Sequence, residues 1–207
     1  MGTQLFGDGV IHFKFIGKID ASDAYKELLI NDTLFRPHTP KPEQSPPLRE
    51  GMSIHLRIHD YNSKSGEVSA EMTAKEFADK MLVAVDSPYM RVFPECQKLI
   101  QQTLNMIPSG VLGRAYIAKM VAGGTIYPHI DPGKYFELHD RYHIVVKTNP
   151  GVSFTCGDDV IETVRFEENE VWVFNNKVIH QAVNQGSEDR IHIIMDVRHD
   201  EPQYVSK

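Results

Sequence analysis

Long apolar runs are missing from this 207-residue chain. No stretch approaches the roughly 20 apolar residues that a membrane helix requires, so no membrane span is expected. Positive charge is also in short supply. With 22 Lys and Arg against 28 Asp and Glu, the formal charge is −6 and the pI is near 5.9. That balance argues against nucleic acid or an anionic membrane as a main partner. Cysteine is scarce, with Cys96 and Cys156 alone. The opening MGTQLFGDGVIHFKF has no basic segment followed by a long apolar one, so a secretory signal is not expected. Two free thiols in a cytoplasmic protein are therefore the expected state. Gly2 matches the start of a myristoylation pattern, but Phe6 stands where Ser or Thr is needed. Internal repeats are absent, and nothing in the sequence specifies an oligomeric state.

What is present fits one domain, residues 1–207, long enough to bury a sizeable core. The first part, residues 1–110, mixes strand and helix signals. VIHFKFIGKI and SIHLRIHD alternate apolar and polar residues with the period of half-buried strands. ASDAYKELLI reads as a short helix between them. TAKEFADKMLVAVDSP opens with the capping-box pattern Thr73-Ala74-Lys75-Glu76 and predicts a helix that closes before Pro88. PECQKLIQQTLNMI predicts another, with Pro94 at its start, where a missing N–H costs nothing. Between Arg36 and Gly51 lie five prolines. This segment reads either as a surface loop or as a lid over substrate, since long structureless loops in compact domains often carry function.

From residue 111 to about 200 the character changes. GRAYIAKMV, TIYPHID, RYHIVVKT, VSFTCG, DVIETVRF, NEVWVFNN, HQAVNQ and RIHIIMDV are short β-like runs punctuated by Gly, Asn, Asp and Pro. Such spacing predicts an antiparallel barrel or sandwich. Helices first and strands afterwards predict a mainly β fold, a double-stranded β-helix (jelly-roll, cupin-like) barrel flanked by helices.

Inside the β-rich half sit His129 and Asp131 in YPHID, then His180 in NKVIHQAV. On an extended strand, residues i and i+2 share a face, so His129 and Asp131 would point the same way. Two imidazoles and a carboxylate are the ligands of a non-haem Fe(II) oxygenase, because they cap one face of the metal and leave the others open. Arg190 follows His180 by ten positions, and a guanidinium behind such a site suits a dicarboxylate co-substrate. With ten histidines and fourteen aspartates in the chain, about one His-x-Asp is expected by chance, so the tripeptide carries little alone. Alternation adds to it. Arg141 and His143 share one face of RYHIVV, and Arg190, His192, Ile194 and Asp196 share one face of RIHIIMDV. Inside a barrel, unpartnered arginines would cost several kcal/mol each. Turned outward they would meet solvent, and alternation alone leaves both orientations open. Trp172 and Phe174 read as barrel packing rather than substrate contacts.

YIAKMVAGGTIYPHID, RYHIVV and NEVWVFNNKVIHQAVNQGSEDRIHIIMDV together resemble the oxygenase core of the aspartyl/asparaginyl β-hydroxylase superfamily, which includes free-proline cis-hydroxylases. The likeness spans roughly residues 114–199. It implies that His129, Asp131 and His180 bind Fe(II), and that Arg190 pairs with the distal carboxylate of 2-oxoglutarate. It further implies that Arg141 and His143 line the co-substrate or substrate end of the pocket. A serine that helps hold the co-substrate in some relatives falls at Ala118. The implied reaction is hydroxylation of an amino acid or peptidyl residue using O₂, with succinate and CO₂ as co-products. Two other readings stand beside it: a cupin-like module that binds a metal or small acid without redox chemistry, and a zinc hydrolase using the same ligands. The arginines favour the oxygenase, because a hydrolase needs a general base beside the metal water. The substrate is expected to be a small molecule or peptide, read by the first half of the chain, with protein aspartyl/asparaginyl hydroxylation as the alternative.

Overall fold

The computed structural model describes residues 12–37, 51–59 and 83–199. The Pro-rich segment expected as a loop or lid falls almost wholly at residues 38–50, outside the described residues, as does most of the helix expected from Thr73. Twelve strands are described: β1 (Phe13–Lys18), β2 (Arg36–Pro37), β3 (Met52–His59), β4 (Ala84–Asp86), β5 (Gly110–Met120), β6 (Thr125–His129), β7 (His139–Lys147), β8 (Val152–Cys156), β9 (Glu162–Val164), β10 (Glu170–Phe174), β11 (His180–Asn184) and β12 (Arg190–His199). Three α-helices accompany them: α1 (Ser22–Ile30), α2 (Pro94–Asn105) and α3 (Lys134–Leu138).

The strands form two antiparallel sheets. The large one runs β1-β10-β7-β12-β5-β3-β2, with β4 also on β3, and the small one runs β6-β11-β8-β9. This is the double-stranded β-helix expected from the sequence. Each face of the large sheet has its own apolar partner. Ile144, Val146, Ile191, Ile193, Met195 and Val197 pack with Ala24 and Leu28 of α1 and Leu99 and Ile100 of α2. On the opposite face, Phe13, Met120, Val145 and Phe174 meet Val152, Phe154 and Ala182 of the small sheet. The candidate site residues lie in this second layer, between the sheets.

Local signals explain most elements. Pro94 opens α2 as expected. Its orphan N–H groups at Glu95 and Cys96 donate to the Glu27 carboxylate of α1, at 3.1 and 3.0 Å, so one helix caps the other. The helix expected to run up to Pro88 is corrected at its end. Ala84–Asp86 is a strand paired with Arg57–His59, because Arg57 reaches across to the Asp86 carboxylate and the Ala84 carbonyl. Ser87 then caps a short 3₁₀ turn that Pro88 begins. The expected strand DVIETVRF shortens to Glu162–Val164. Neither free cysteine is paired, and both are buried. No described helix is long and apolar enough to cross a membrane.

Candidate metal centre

β6 ends at His129 and β11 begins at His180, and the two are register partners across the small sheet. Asp131 lies two residues past the end of β6, where its backbone N–H donates to the Asn176 carbonyl at 3.4 Å. One ligand atom from each of His129, Asp131 and His180 lies within 4.8 Å of the others. The Nε2 atoms of His129 and His180 sit 4.0 and 3.9 Å from the two Asp131 oxygens. Among the described residues this is the one such cluster of three.

Both rings are aimed by their own strands. His129 Nδ1 lies 2.7 Å from the Tyr127 carbonyl, and His180 Nδ1 lies 3.0 Å from the Val178 carbonyl. A carbonyl only accepts, so each Nδ1 carries the proton and each Nε2 presents a lone pair to the centre. Burial pushes the His180 pKa down to about 4, with His129 beside it adding to the effect, so this ring is neutral at ordinary pH. Two imidazoles and one carboxylate, all buried or nearly so, fit Fe(II).

Arg141 and His143, expected on one face of a strand, project from β7 into the same cavity. Arg141 donates through Nη1 to Asp131 Oδ2 and through Nε to Asp196 Oδ1, the latter at 2.9 Å. Asp196 in turn accepts from Arg114 Nε and Nη2 at 3.1 and 2.9 Å. Burial opposes the Arg141 charge, but Asp196, Tyr116 and Asp131 outweigh it and hold the pKa well above its usual value. Burial likewise works against the Asp196 carboxylate, which Arg141 and Arg114 nonetheless hold below its usual range. Arg141 therefore sits directly behind the carboxylate of the metal cluster. Reading the sequence did not assign Asp196 or Arg114 this part, although alternation along β12 had placed Asp196 on the right face.

Arg190 is 1% exposed. It has no carboxylate partner among the described residues: its Nη2 lies 2.7 Å from His192 Nδ1, and its Nε and Nη1 find no hydrogen-bond partner. Burial lowers its pKa to about 10. His143 Nε2 is also buried and unpartnered. A fully buried guanidinium with two unpartnered nitrogens is costly unless an anion completes it, so the end of this cavity fits a carboxylate. Phe154 and Phe174 wall the cavity beside His143, with ring centroids 5.5 and 5.2 Å away. Phe174 thus both packs the barrel and lines the site. Trp172 stacks on Phe166 at 5.1 Å and donates to Glu170, away from the metal cluster. Ala118 lines the cavity too, leaving no hydroxyl at that position.

The model of the family described as Aspartyl/Asparaginyl beta-hydroxylase matches residues 62–200. No curated protein matches the chain. Solved structures with a similar fold include an oxidoreductase of the 2OG-Fe(II) oxygenase family from Burkholderia pseudomallei, 12% identical, with 92% of this chain and 89% of that one covered and a TM-score of 0.56. A prolyl hydroxylase from Trichoplax adhaerens, in complex with a hypoxia inducible factor peptide fragment, is 9% identical, with 95% and 87% covered and a TM-score of 0.55. A prolyl-4-hydroxylase from Pseudomonas putida is 13% identical, with 91% and 94% covered and a TM-score of 0.50.

Proposed function

The chain belongs to the aspartyl/asparaginyl β-hydroxylase family of 2-oxoglutarate- and Fe(II)-dependent oxygenases, and on that basis we propose that it hydroxylates an amino acid, free or within a peptide. In this reading His129, Asp131 and His180 hold Fe(II), and Arg190 receives the distal carboxylate of 2-oxoglutarate. Fe(II) bound there supplies, with O₂ and 2-oxoglutarate, the oxidising power that inserts one oxygen atom into a substrate C–H bond while 2-oxoglutarate becomes succinate and CO₂.

The observation that carries the reading is Arg190. Its buried guanidinium has no carboxylate partner among the described residues and leaves Nε and Nη1 unused, which is what the distal carboxylate of a dicarboxylate needs. The chain's own residues orient and shield. Arg141, tied to Asp196, fixes Asp131 toward the two imidazoles. Phe154 and Phe174 exclude water from the side of the cavity where His143 and Arg190 lie. The half-buried Met52 and Ile126 line the cavity as well and offer a substrate apolar contacts. A peptide substrate accords with the bound peptide of the Trichoplax adhaerens protein, and an amino-acid substrate with the family's description.

The test is aerobic incubation of the Fe(II)-loaded protein and 2-oxoglutarate with amino-acid and peptide libraries, read by mass spectrometry. A library member that becomes heavier by one oxygen atom, in proportion to succinate formed, is the expected result. No succinate in any mixture overturns the reading.

A further inference from the structure

We infer that His192 is a positioning residue for the distal carboxylate of the 2-oxo acid, holding Arg190 in place without neutralising it and so favouring a dianionic co-substrate over a monoanionic one. The inference rests on the proposed role of Arg190.

His192 stands on β12 opposite Ala118 of β5 and Val145 of β7. It is 1% exposed. Its Nδ1 lies 2.7 Å from Arg190 Nη2. A guanidinium can only donate, so Nδ1 must be the acceptor and the His192 proton resides on Nε2. His143 converges on the same point, its Nδ1 lying 3.1 Å from His192 Nδ1 and 3.5 Å from Arg190 Nη2. Phe166 covers His192 with ring centroids 5.9 Å apart. Burial and the neighbouring Arg190 hold His192 well below its usual pKa, in keeping with a neutral acceptor.

The kind of acceptor matters here. Arg141 and Arg114 are held by carboxylates, which cancel their charge. Arg190 is held by a neutral imidazole, which fixes one end of the fork and leaves the whole positive charge, with Nε and Nη1, for a ligand. A carboxylate at position 192 would occupy that charge permanently and compete with the co-substrate.

The experiment is anaerobic calorimetry of the Fe(II)-loaded protein with two probes. One is 2-oxoglutarate; the other is 2-oxobutyrate, which keeps the 2-oxo acid end and lacks the distal carboxylate. His192→Leu removes the acceptor, His192→Asp replaces it with an anion, and His192→Asn offers Oδ1 near the place of Nδ1. The Leu and Asp variants are expected to weaken 2-oxoglutarate by about tenfold to a hundredfold, the range for a lost hydrogen bond to a charged group. The Asn variant stays near wild type, and 2-oxobutyrate affinity does not change in any of the three. If the Leu variant fails to fold, the Asp and Asn pair carries the same comparison. Unchanged 2-oxoglutarate binding in the Leu or Asp variant overturns the inference, as does equal weakening of both probes. Loss of 2-oxoglutarate binding in Arg190→Met alone would leave the Arg190 role standing and reject that of His192. A wild-type protein that binds no 2-oxoglutarate overturns the Arg190 role itself.

Discussion

His129 and His180 face each other as register partners across β6 and β11, their ring centroids 4.3 Å apart. Two of the three proposed ligands are thereby fixed by backbone pairing of one antiparallel strand pair. A bulge follows His180 in the register, so the match at this position is not shared by the residues after it. Either His129→Ala or His180→Ala should leave the sheet intact and lower Fe(II) affinity by about a hundredfold or more, beyond the range for outer partners of a metal site. Anaerobic Fe(II) titration measures this. Unchanged affinity in either variant rejects the site.

Arg141 joins the metal cluster to the buried Asp196. Replacing it with Met leaves Asp131 without its orienting donor and Asp196 with Arg114 alone. The expected costs are about 10- to 100-fold in Fe(II) affinity and about 3–5 kcal/mol in stability, the usual result of removing one partner of a buried pair. Metal titration and urea unfolding read the two separately. Full retention of Fe(II) affinity would show that Arg141 serves the ligand sphere not at all.

Arg190 predicts an opposite effect on stability. Its buried charge has no carboxylate partner among the described residues, so Arg190→Met should stabilise the metal- and ligand-free fold by about 1–3 kcal/mol. The same substitution should abolish the rise in Tm that 2-oxoglutarate gives the metal-loaded protein. A variant less stable than wild type, or one still stabilised by 2-oxoglutarate, contradicts this.

Acid should weaken the metal-free fold early. His143 and His192 are held well below their ordinary value of 6.5, by burial first and by Arg190 next. The unfolded chain therefore takes up protons below pH 6.5 that the folded one refuses. Stability is full above that pH and falls below it, by about 1.4 kcal/mol per pH unit for each such histidine. His180 and His139, also lowered by burial, act in the same direction. Urea unfolding at a series of pH values should show this decline, with a shallower slope in His192→Asn. A flat profile between about pH 7 and 5 would refute it.

The proposed metal ligands and Arg190 were legible as candidates because residue type and short spacing carry their chemistry. Whether the Arg141 and Arg190 faces turned inward was not, for a physical reason. β7 and β12 are buried on both sides, one face against α1 and α2 and the other, with Arg141, His143 and Arg190, against the cavity. Arg and His side chains turned into a buried cavity give a strand the same alternation as ones turned to solvent. The Glu27 cap on α2 joins residues 68 and 69 positions apart, so no local pattern announces it. α3 is a single short turn of five residues, too brief for helical periodicity to register. Ala84–Asp86 carried an apparent helix pattern, and its pairing with β3 overrode that local preference.

The most direct measurement of the proposed chemistry is the isotopic content of succinate made from 2-oxoglutarate by the Fe(II)-loaded protein under heavy-oxygen dioxygen. Atom balance requires that succinate gain one oxygen as CO₂ departs, with O₂ as its source. Wild type should yield succinate carrying one labelled oxygen, and His180→Ala should yield none. Unlabelled succinate, or none from fully loaded wild type in the presence of any library member, contradicts the assignment.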